Sequence, residues 1–243
     1  MTERISIFGS MKSAFYIWKK YFVKLIIVGF IVYIPTQICI ELLSMLIAEV
    51  EFFKKNQHNY YNFIRDIIGS VALLGIINFT IKILETNEEQ TIKEIVLHGL
   101  KKWLGYIGLM FIAGLKILGY AILLIIPGIY KFIKLSFLDC IVATDNNNND
   151  ELDSLDESEQ LVKNIWWKVF FFVFLMFILR LLFEIVFLLL FFLFPDFVLK
   201  SFLLGVIVQV LGTYFFLVRA DYYWKIKKLK YENNNLNENN DEH

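Results

Sequence analysis

The chain has 243 residues, of which 58% are hydrophobic and only 20% are charged, and its formal net charge is zero. This composition excludes an ordinary soluble domain, because such a domain would have to leave much of its apolar surface in contact with water. The balanced charge excludes a global field that attracts nucleic acid, so no nucleic-acid partner is expected.

Long apolar runs are the most informative feature of the sequence. A helix rises ~1.5 Å per residue, so about 20 residues cross a hydrocarbon core of ~30 Å. Four strong runs and two weaker ones predict an all-α, polytopic bundle of six transmembrane helices in one membrane domain, 1–222. The predicted crossings are 25–47, 64–84, 104–126, 128–144, 169–194 and 197–218.

A short amphipathic stretch precedes the first, third and fifth predicted crossings, and each ends in basic residues beside tryptophan. The predicted interfacial anchors are Trp18, Trp103, Trp166 and Trp167. We expect three cytoplasmic interfacial helices that lie in the headgroup plane. Two explanations stay open: helix entries generally collect Lys and Trp, or the chain repeats one unit three times, an interfacial helix followed by a two-helix hairpin.

The number of crossings depends on Pro127 and Gly128, which divide the apolar stretch from 104 to 144. Proline lacks a backbone N–H and glycine tolerates positive φ, so the pair favours a hairpin turn. A hairpin gives six crossings, whereas a single kinked helix gives five. We prefer six.

The distribution of Lys and Arg agrees with six crossings. The two chain ends and the loops on their side of the membrane hold about fifteen of these residues, and the opposite loops hold about four. Because an excess of Lys and Arg marks the cytoplasmic side, we expect both termini in the cytoplasm of a bacterium, with the chain in the cell membrane. Five crossings would place the basic segment 225–230 outside.

Charged residues inside the predicted crossings are the candidates for a polar site. Arg180 and Glu184 are spaced i, i+4 within a long apolar run, so one helical face can hold both as an ion pair that faces protein rather than lipid. The pair either fixes helix packing or forms part of a functional site. Glu41, Lys116 and Asp139 are further candidates for this site, whereas Lys131 and Lys134 are expected to snorkel to the outer interface.

Two segments have little to bury and are expected to be mobile in water. They are the acidic loop 145–159 and the Asn-rich tail 231–243. Cys39 and Cys140 fall within apolar stretches, where they are expected to be small buried hydrophobes.

The segment LLIIPGIYKFIKLSFLDCIVATD, an acidic loop and SEQLVKNIWWKVFFF together resemble the membrane domain of some bacterial glycerophosphoryl diester phosphodiesterases. They are also similar to stand-alone, uncharacterised six-helix membrane proteins of bacteria. The shared pattern is Pro127-Gly128-Ile129, then Ser158, Lys163-Asn164 and Trp166. The family commonly has glycine where this chain has Asn164, and arginine after the proline where this chain has lysines. The resemblance implies the six-helix plan but no hydrolysis, because the membrane domain is not the part that cleaves the phosphodiester.

No catalytic motif is visible in the sequence. The three histidines, His58, His98 and His243, lack metal-ligand spacing, and HExxH, GxSxG and phosphate-loop patterns are absent. We therefore expect no enzyme, no cofactor and no metal site. The leading hypothesis is a permease-like subunit for a small or amphipathic solute, with a separate ATPase as a possible partner. The alternative is a structural or protective membrane factor, of the immunity or envelope-stress type, that acts through interfacial helices and protein partners.

Overall fold

A computed structural model describes residues 5–47, 51–145, 153–193 and 200–241. Over these ranges the regular secondary structure is entirely helical, which confirms the all-α prediction. The helices are α1 (Ile7–Lys20), α2 (Phe22–Ile47), α3 (Glu51–Thr86), α4 (Ile92–Leu123), α5 (Ile125–Lys134), α6 (Leu138–Thr144), α7 (Asp153–Val162), α8 (Trp166–Leu193) and α9 (Lys200–Asp241).

Four of the described helices are long and apolar enough to cross a membrane. The spans are Phe22–Leu43, Phe63–Thr86, Ile92–Leu123 and Trp166–Phe187. They correspond to the first, second, third and fifth predicted crossings. These helices support membrane insertion, while the full count of six crossings and the orientation stay predictions.

Helix α3 forms the centre of the bundle and packs against α2, α4, α6 and α9. Its apolar window is 67% buried, and Leu74, Ile76, Ile77 and Phe79 are fully enclosed. A helix that is apolar all round suits either enclosure by protein or contact with lipid. The corresponding windows of α4 and α8 are only 17% and 11% buried, so these two helices leave most of their apolar surface for lipid or a partner.

Two glycines bring α3 and α4 into backbone contact. A Cβ atom added at Gly75 would lie 2.3 Å from the carbonyl oxygen of Ile95, and one added at Gly99 would lie 2.1 Å from that of Val71. Small residues at such positions let membrane helices approach closely and gain van der Waals contact. The α3–α4 pair is therefore fixed by packing that only glycine permits.

The predicted hairpin turn forms, but three residues earlier than expected. Helix α4 ends at Leu123, Leu124 is extended, and Pro127 is the third residue of α5. Proline is tolerated there because N–H groups in the first turn have no intrahelical acceptor. Gly128 lies against α4, where an added Cβ would be 2.7 Å from the Cβ of Ala121. The chain thus reverses at Leu124 and not through a kink.

The predicted crossing 128–144 is not one helix. It consists of α5 and α6, separated by a turn at residues 135–137. Ten residues of α5 span about 15 Å, half of a hydrocarbon core. The side chain of Asp139 accepts a hydrogen bond from the Cys140 N–H in the first turn of α6, and carboxylates near a helix N-terminus favour starting a helix there. This charge helps to explain the break.

Two of the three predicted interfacial helices exist as separate helices, α1 and α7. The third is the beginning of α4, which continues to Leu123 without a break. Helix α1 packs along α9, and the Tyr214 hydroxyl donates to the Met11 carbonyl at 3.1 Å. Separate short helices thus precede α2 and α8 but not α4, and the threefold repeat stays a prediction.

The two segments expected to be mobile are helical where the structure describes them, and their mobility stays a prediction. Residues 153–159 of the acidic loop belong to α7, in which Leu155 and Ser158 are buried. Residues 231–241 of the tail continue α9. Residues 146–152 and 242–243 lie outside the described ranges. One face of α7 is buried against the bundle. The polar composition of the segment did not indicate these tertiary contacts.

Candidate functional site

A deeply buried charge among the described residues is part of an ion pair between α6 and α9. Asp139 is 2% exposed, and its Oδ2 atom lies 3.0 Å from Nη1 of Arg219. Its Oδ1 atom accepts a hydrogen bond of 2.9 Å from the Cys140 N–H. Nη2 of Arg219 donates to the carbonyl oxygen of Ser136. Asp139, Arg219 and Ser136 are called the polar centre below.

The break between α5 and α6 creates the polar centre. The turn at residues 135–137 turns the Ser136 carbonyl towards α9, where Arg219 binds it. The hydroxyl of Ser136 is buried and has no hydrogen-bond partner among the described residues. Buried polar groups without a partner are uncommon in proteins and often mark functional positions. The polar centre thus holds one charged pair and one unsatisfied hydroxyl.

An aromatic layer lies beside the polar centre, in which the side chain of Asp139 is 2% exposed and that of Arg219 is 38% exposed. Phe137, between Ser136 and α6, packs against Phe172 of α8 and against Tyr222 and Tyr223 of α9. The rings of Phe172 and Tyr222 stack with their centroids 3.9 Å apart. Such apolar surroundings lower the local dielectric constant and strengthen the attraction between Asp139 and Arg219.

A second buried carboxylate lies on α9, and its partner lysine on the same helix also joins α9 to α1. Asp221 is fully buried, and Nζ of Lys225 lies 2.6 Å from its Oδ2 atom. The same ammonium group donates to the hydroxyl of the buried Ser10 at 3.2 Å. Sequence reasoning missed Arg219, Asp221 and Lys225 because it treated the segment after residue 218 as a basic tail. The signal was present, since apolar and aromatic residues continue through VRADYYW.

A third polar cluster joins the start of α2 to the α3–α4 connection. The Tyr21 hydroxyl donates to Glu89 at 2.7 Å, and Nζ of Lys24 donates to the Gln90 carbonyl at 2.9 Å. The hydrogen bond from Tyr21 lowers the pKa of the Glu89 carboxyl below its usual value, and the charges of Lys24 and Lys20 act in the same direction. This cluster combines the buried ring of Tyr21 with the exposed carboxylate of Glu89, and it fixes local geometry.

The structure pairs Arg180 with Glu184 on α8, with Nε of Arg180 donating to Oε1 of Glu184 at 3.1 Å. Contrary to the expectation that the pair faces protein, the two side chains are 61% and 54% exposed. The reason is that α8 contacts the bundle along a narrow strip and presents its remaining faces outward. Asp66 of α3 lies within electrostatic range of Arg180.

The remaining candidates for a common polar site do not converge on Arg180. Asp139 binds Arg219 instead. Glu41 accepts a hydrogen bond of 3.0 Å from Gln37 on an exposed part of α2, and Lys116 lies half-buried on α4. Sequence spacing predicted which charges lie within apolar segments but not which of them meet.

Two lysines after the hairpin also find protein partners. Lys131 and Lys134 of α5, which were expected to snorkel, both pair with Glu159 of α7. The Ser158 hydroxyl donates to the Lys134 carbonyl at 2.9 Å. These contacts fasten α5 to α7.

The predicted aromatic anchors have mostly packing roles. Trp18 packs against Phe22 and Tyr214, while Trp103 and Trp166 donate their indole N–H groups to backbone carbonyls at 2.7 and 3.3 Å. Trp167 alone of the four is exposed. The two cysteines also differ: Cys140 is buried as expected, but Cys39 is exposed on α2.

The described residues contain no group of three or more His, Cys, Asp and Glu that could hold a metal ion. The ring of His98 donates through Nε2 to the Ala143 carbonyl at 2.8 Å and thereby joins α4 to α6. This histidine has a packing role. His58 and His243 lie where the side chains are not described.

Comparisons give no family for this chain: no family model, no curated protein and no solved structure matches it. The resemblance to the phosphodiesterase membrane domain therefore stays a prediction. The features of the structure that bear on function are the polar centre and the distribution of exposed apolar surface.

Proposed function

We propose that the chain is a non-enzymatic, permease-like membrane protein that moves a small or amphipathic solute, and that the polar centre contributes to the path. The observation that supports this proposal most strongly is the ion pair that the buried Asp139 forms with Arg219 at the break between α5 and α6. Ionisable groups within a membrane bundle are costly, and they commonly belong to solute or ion pathways.

A broken helix suits this role. Transporters often interrupt a helix where they bind solute, because the interruption frees backbone carbonyls and brings helix ends next to charged groups. Residues 135–137 provide such an interruption, with the Ser136 carbonyl bound by Arg219 and the Ser136 hydroxyl buried without a described partner. Rearrangement of Arg219 would release both the carboxylate of Asp139 and this carbonyl for a solute.

The sequence contains no phosphate-binding loop. Uphill movement of a solute would therefore need energy from a partner ATPase or from an ion gradient. Downhill movement would need neither, and it is the activity that the isolated chain is expected to show.

A second candidate function, a structural or protective factor, is favoured by the outward-facing surface of α8. A window that is only 11% buried and carries an exposed ion pair suits a helix that docks onto other membrane proteins. In that case the polar centre would serve only to hold α6 against α9.

Flux in proteoliposomes distinguishes the two functions. Purified chain is reconstituted and assayed with three probes: protons with an entrapped pH dye, glycerol by light scattering, and a fluorescent phospholipid by dithionite quenching. The permease proposal predicts that at least one flux exceeds that of protein-free liposomes. It also predicts that the Asp139→Asn, Arg219→Gln double variant loses that flux.

The matched control is the Lys82→Gln, Glu88→Gln double variant, which neutralises an exposed pair outside the polar centre and should retain the flux. If folded wild-type protein moves none of the three probes, the structural alternative is favoured. If the Asp139 and Arg219 double variant is as active as wild type, the polar centre has no part in transport.

A further inference from the structure

We infer that two copies of this chain associate through the exposed face of α8, with Arg180 and Glu184 at the centre of the interface. The inference does not depend on transport. It rests on the position of these two charges, on the spacing of the apolar residues around them and on their self-complementarity.

The charges lie in the middle of an apolar helix. Apolar residues occupy 169–179 before Arg180 and 185–193 after Glu184. Lipid tails can cover the phenylalanines and leucines of α8, but they offer no hydrogen bond to a guanidinium or a carboxylate. Because both charged side chains are more than half exposed, a purely lipid environment would leave them costly to insert.

The bond within the pair does not use all of its hydrogen-bonding capacity. Nε of Arg180 donates to Oε1 of Glu184. A guanidinium has five N–H donors and a carboxylate has two acceptor oxygens. The outward exposure of the pair leaves room for further bonds on the side away from the bundle.

The apolar residues beside the pair follow the spacing of a helix–helix seam. Phe174, Phe177, Leu181 and Glu184 succeed one another at intervals of three, four and three residues, and all four are about half exposed. Alternating intervals of three and four residues place side chains along one line that a partner helix can pack against.

A second copy is the partner that fits these features. In a two-fold interface, residue i contacts residue j and j contacts i. Arg180 of each copy then reaches Glu184 of the other, which gives a neutral network of two guanidinium and two carboxylate groups. A different membrane protein would need to present a matched pair at the same depth, whereas a second copy always does.

Charge reversal tests this inference in lipid. Full-length chain is labelled at its C-terminus with a donor or an acceptor fluorophore, and resonance energy transfer is measured in liposomes as the protein is diluted in lipid. Wild type should show transfer that persists on dilution. The Arg180→Glu variant carries two carboxylates and the Glu184→Arg variant two guanidinium groups, so each alone should associate about tenfold more weakly.

Mixing the two variants gives the decisive result. A donor-labelled Arg180→Glu chain and an acceptor-labelled Glu184→Arg chain have complementary charges and should regain transfer close to that of wild type. The combined swap, Arg180→Glu with Glu184→Arg in one chain, should also regain it. Lys116→Glu on the equally exposed α4 is the matched control and should leave the transfer unchanged.

The inference is overturned if wild-type transfer falls to the level of random proximity on dilution, which would indicate a monomer covered by lipid. It is also overturned if the mixed variants show no more transfer than either variant alone. Retained transfer in both single variants would place the self-association on another surface.

Discussion

Asp139 is the residue on which the packing of α6 against α9 depends. Its carboxylate is buried and is neutralised by one guanidinium, and the Cys140 N–H adds one hydrogen bond. A buried ion pair is weak evidence for stability by itself, but removal of one partner leaves the other charge buried and unpaired.

The variant Arg219→Leu should therefore destabilise the protein strongly, by about 3 kcal/mol. The double variant Asp139→Leu, Arg219→Leu should be closer to wild type, because no unpaired charge remains. Denaturant unfolding in detergent micelles measures both. Lys82→Leu, which removes an exposed pair with Glu88 at 3.9 Å, should change stability by less than about 1 kcal/mol. Equal losses in the single and double variants of the buried pair would contradict this prediction.

Glu89 provides a prediction for pH dependence. Because its folded-state pKa is lowered, it contributes stability above the unfolded-state pKa, ordinarily about 4.3, and this contribution is lost as the pH falls through the folded-state value. Tyr21→Phe removes the main cause of the shift, so its melting temperature should depend less on pH in this acidic range. Tyr16→Phe, at an exposed ring, is the control. Identical pH profiles for wild type and Tyr21→Phe would contradict the assignment.

The sequence predicted some properties of the charged residues but not all of their partners. It indicated that Asp139 is a charge whose insertion into an apolar segment costs free energy, because that cost depends on local composition alone. It did not indicate Arg219 as the partner, because the pairing arises from long-range packing of α6 on α9. In the same way, the i, i+4 spacing predicted the contact between Arg180 and Glu184, while their exposure depends on how little of α8 the bundle covers.

At the scale of helices, the contact between α3 and α4 depends on Gly75 and Gly99. An added methyl group at either position would overlap a backbone carbonyl of the other helix. Backbone atoms cannot rotate away as side chains can, so the helices themselves would have to separate.

Gly75→Ala and Gly99→Ala should each destabilise the protein by about 1–3 kcal/mol. Gly114→Ala on the same helix α4 is the matched control, because a Cβ atom there meets nothing within 4 Å. Alanine also has a higher helix propensity than glycine, so this control should be neutral or slightly stabilising. Thermal unfolding in micelles measures all three. If Gly99→Ala unfolds at the same temperature as Gly114→Ala, the close approach of α3 and α4 is contradicted.

Residues 124–144, which follow α4, were predicted only in part from the sequence. The sequence around Pro127 and Gly128 indicated a reversal of the chain, but the reversal lies at the extended Leu124, and both residues belong to α5. No described glycine has a positive φ, so the reversal does not depend on the conformational freedom of Gly128. The break at 135–137 was not predicted, since the continuous apolar sequence fits one helix as well as two. It is the burial of Asp139 against Arg219, a tertiary contact, that accompanies the division into α5 and α6.

At the scale of the whole molecule, hydropathy predicted the membrane class and most of the long helices, because these properties depend on summed apolar length. It could not predict that α3 is enclosed while α8 is exposed, since the membrane-length windows of both helices are strongly apolar. The distribution of burial follows from which helices pack together, and that depends on small residues and specific contacts such as those of Gly75 and Gly99.

The central claim is that α5 and α6 together return the chain across the membrane, so that the polar centre lies within the bilayer. Labelling of single cysteines with a membrane-impermeant maleimide tests it most directly, in a background with Cys39→Ser and Cys140→Ala. Ile126→Cys marks the exposed hairpin after α4, and Asp145→Cys marks the end of α6. The expected result is labelling of position 126 only from outside the cell and of position 145 only from the cytoplasmic side. Labelling of both positions from the same side would show that α5 and α6 do not cross, and would contradict the claim.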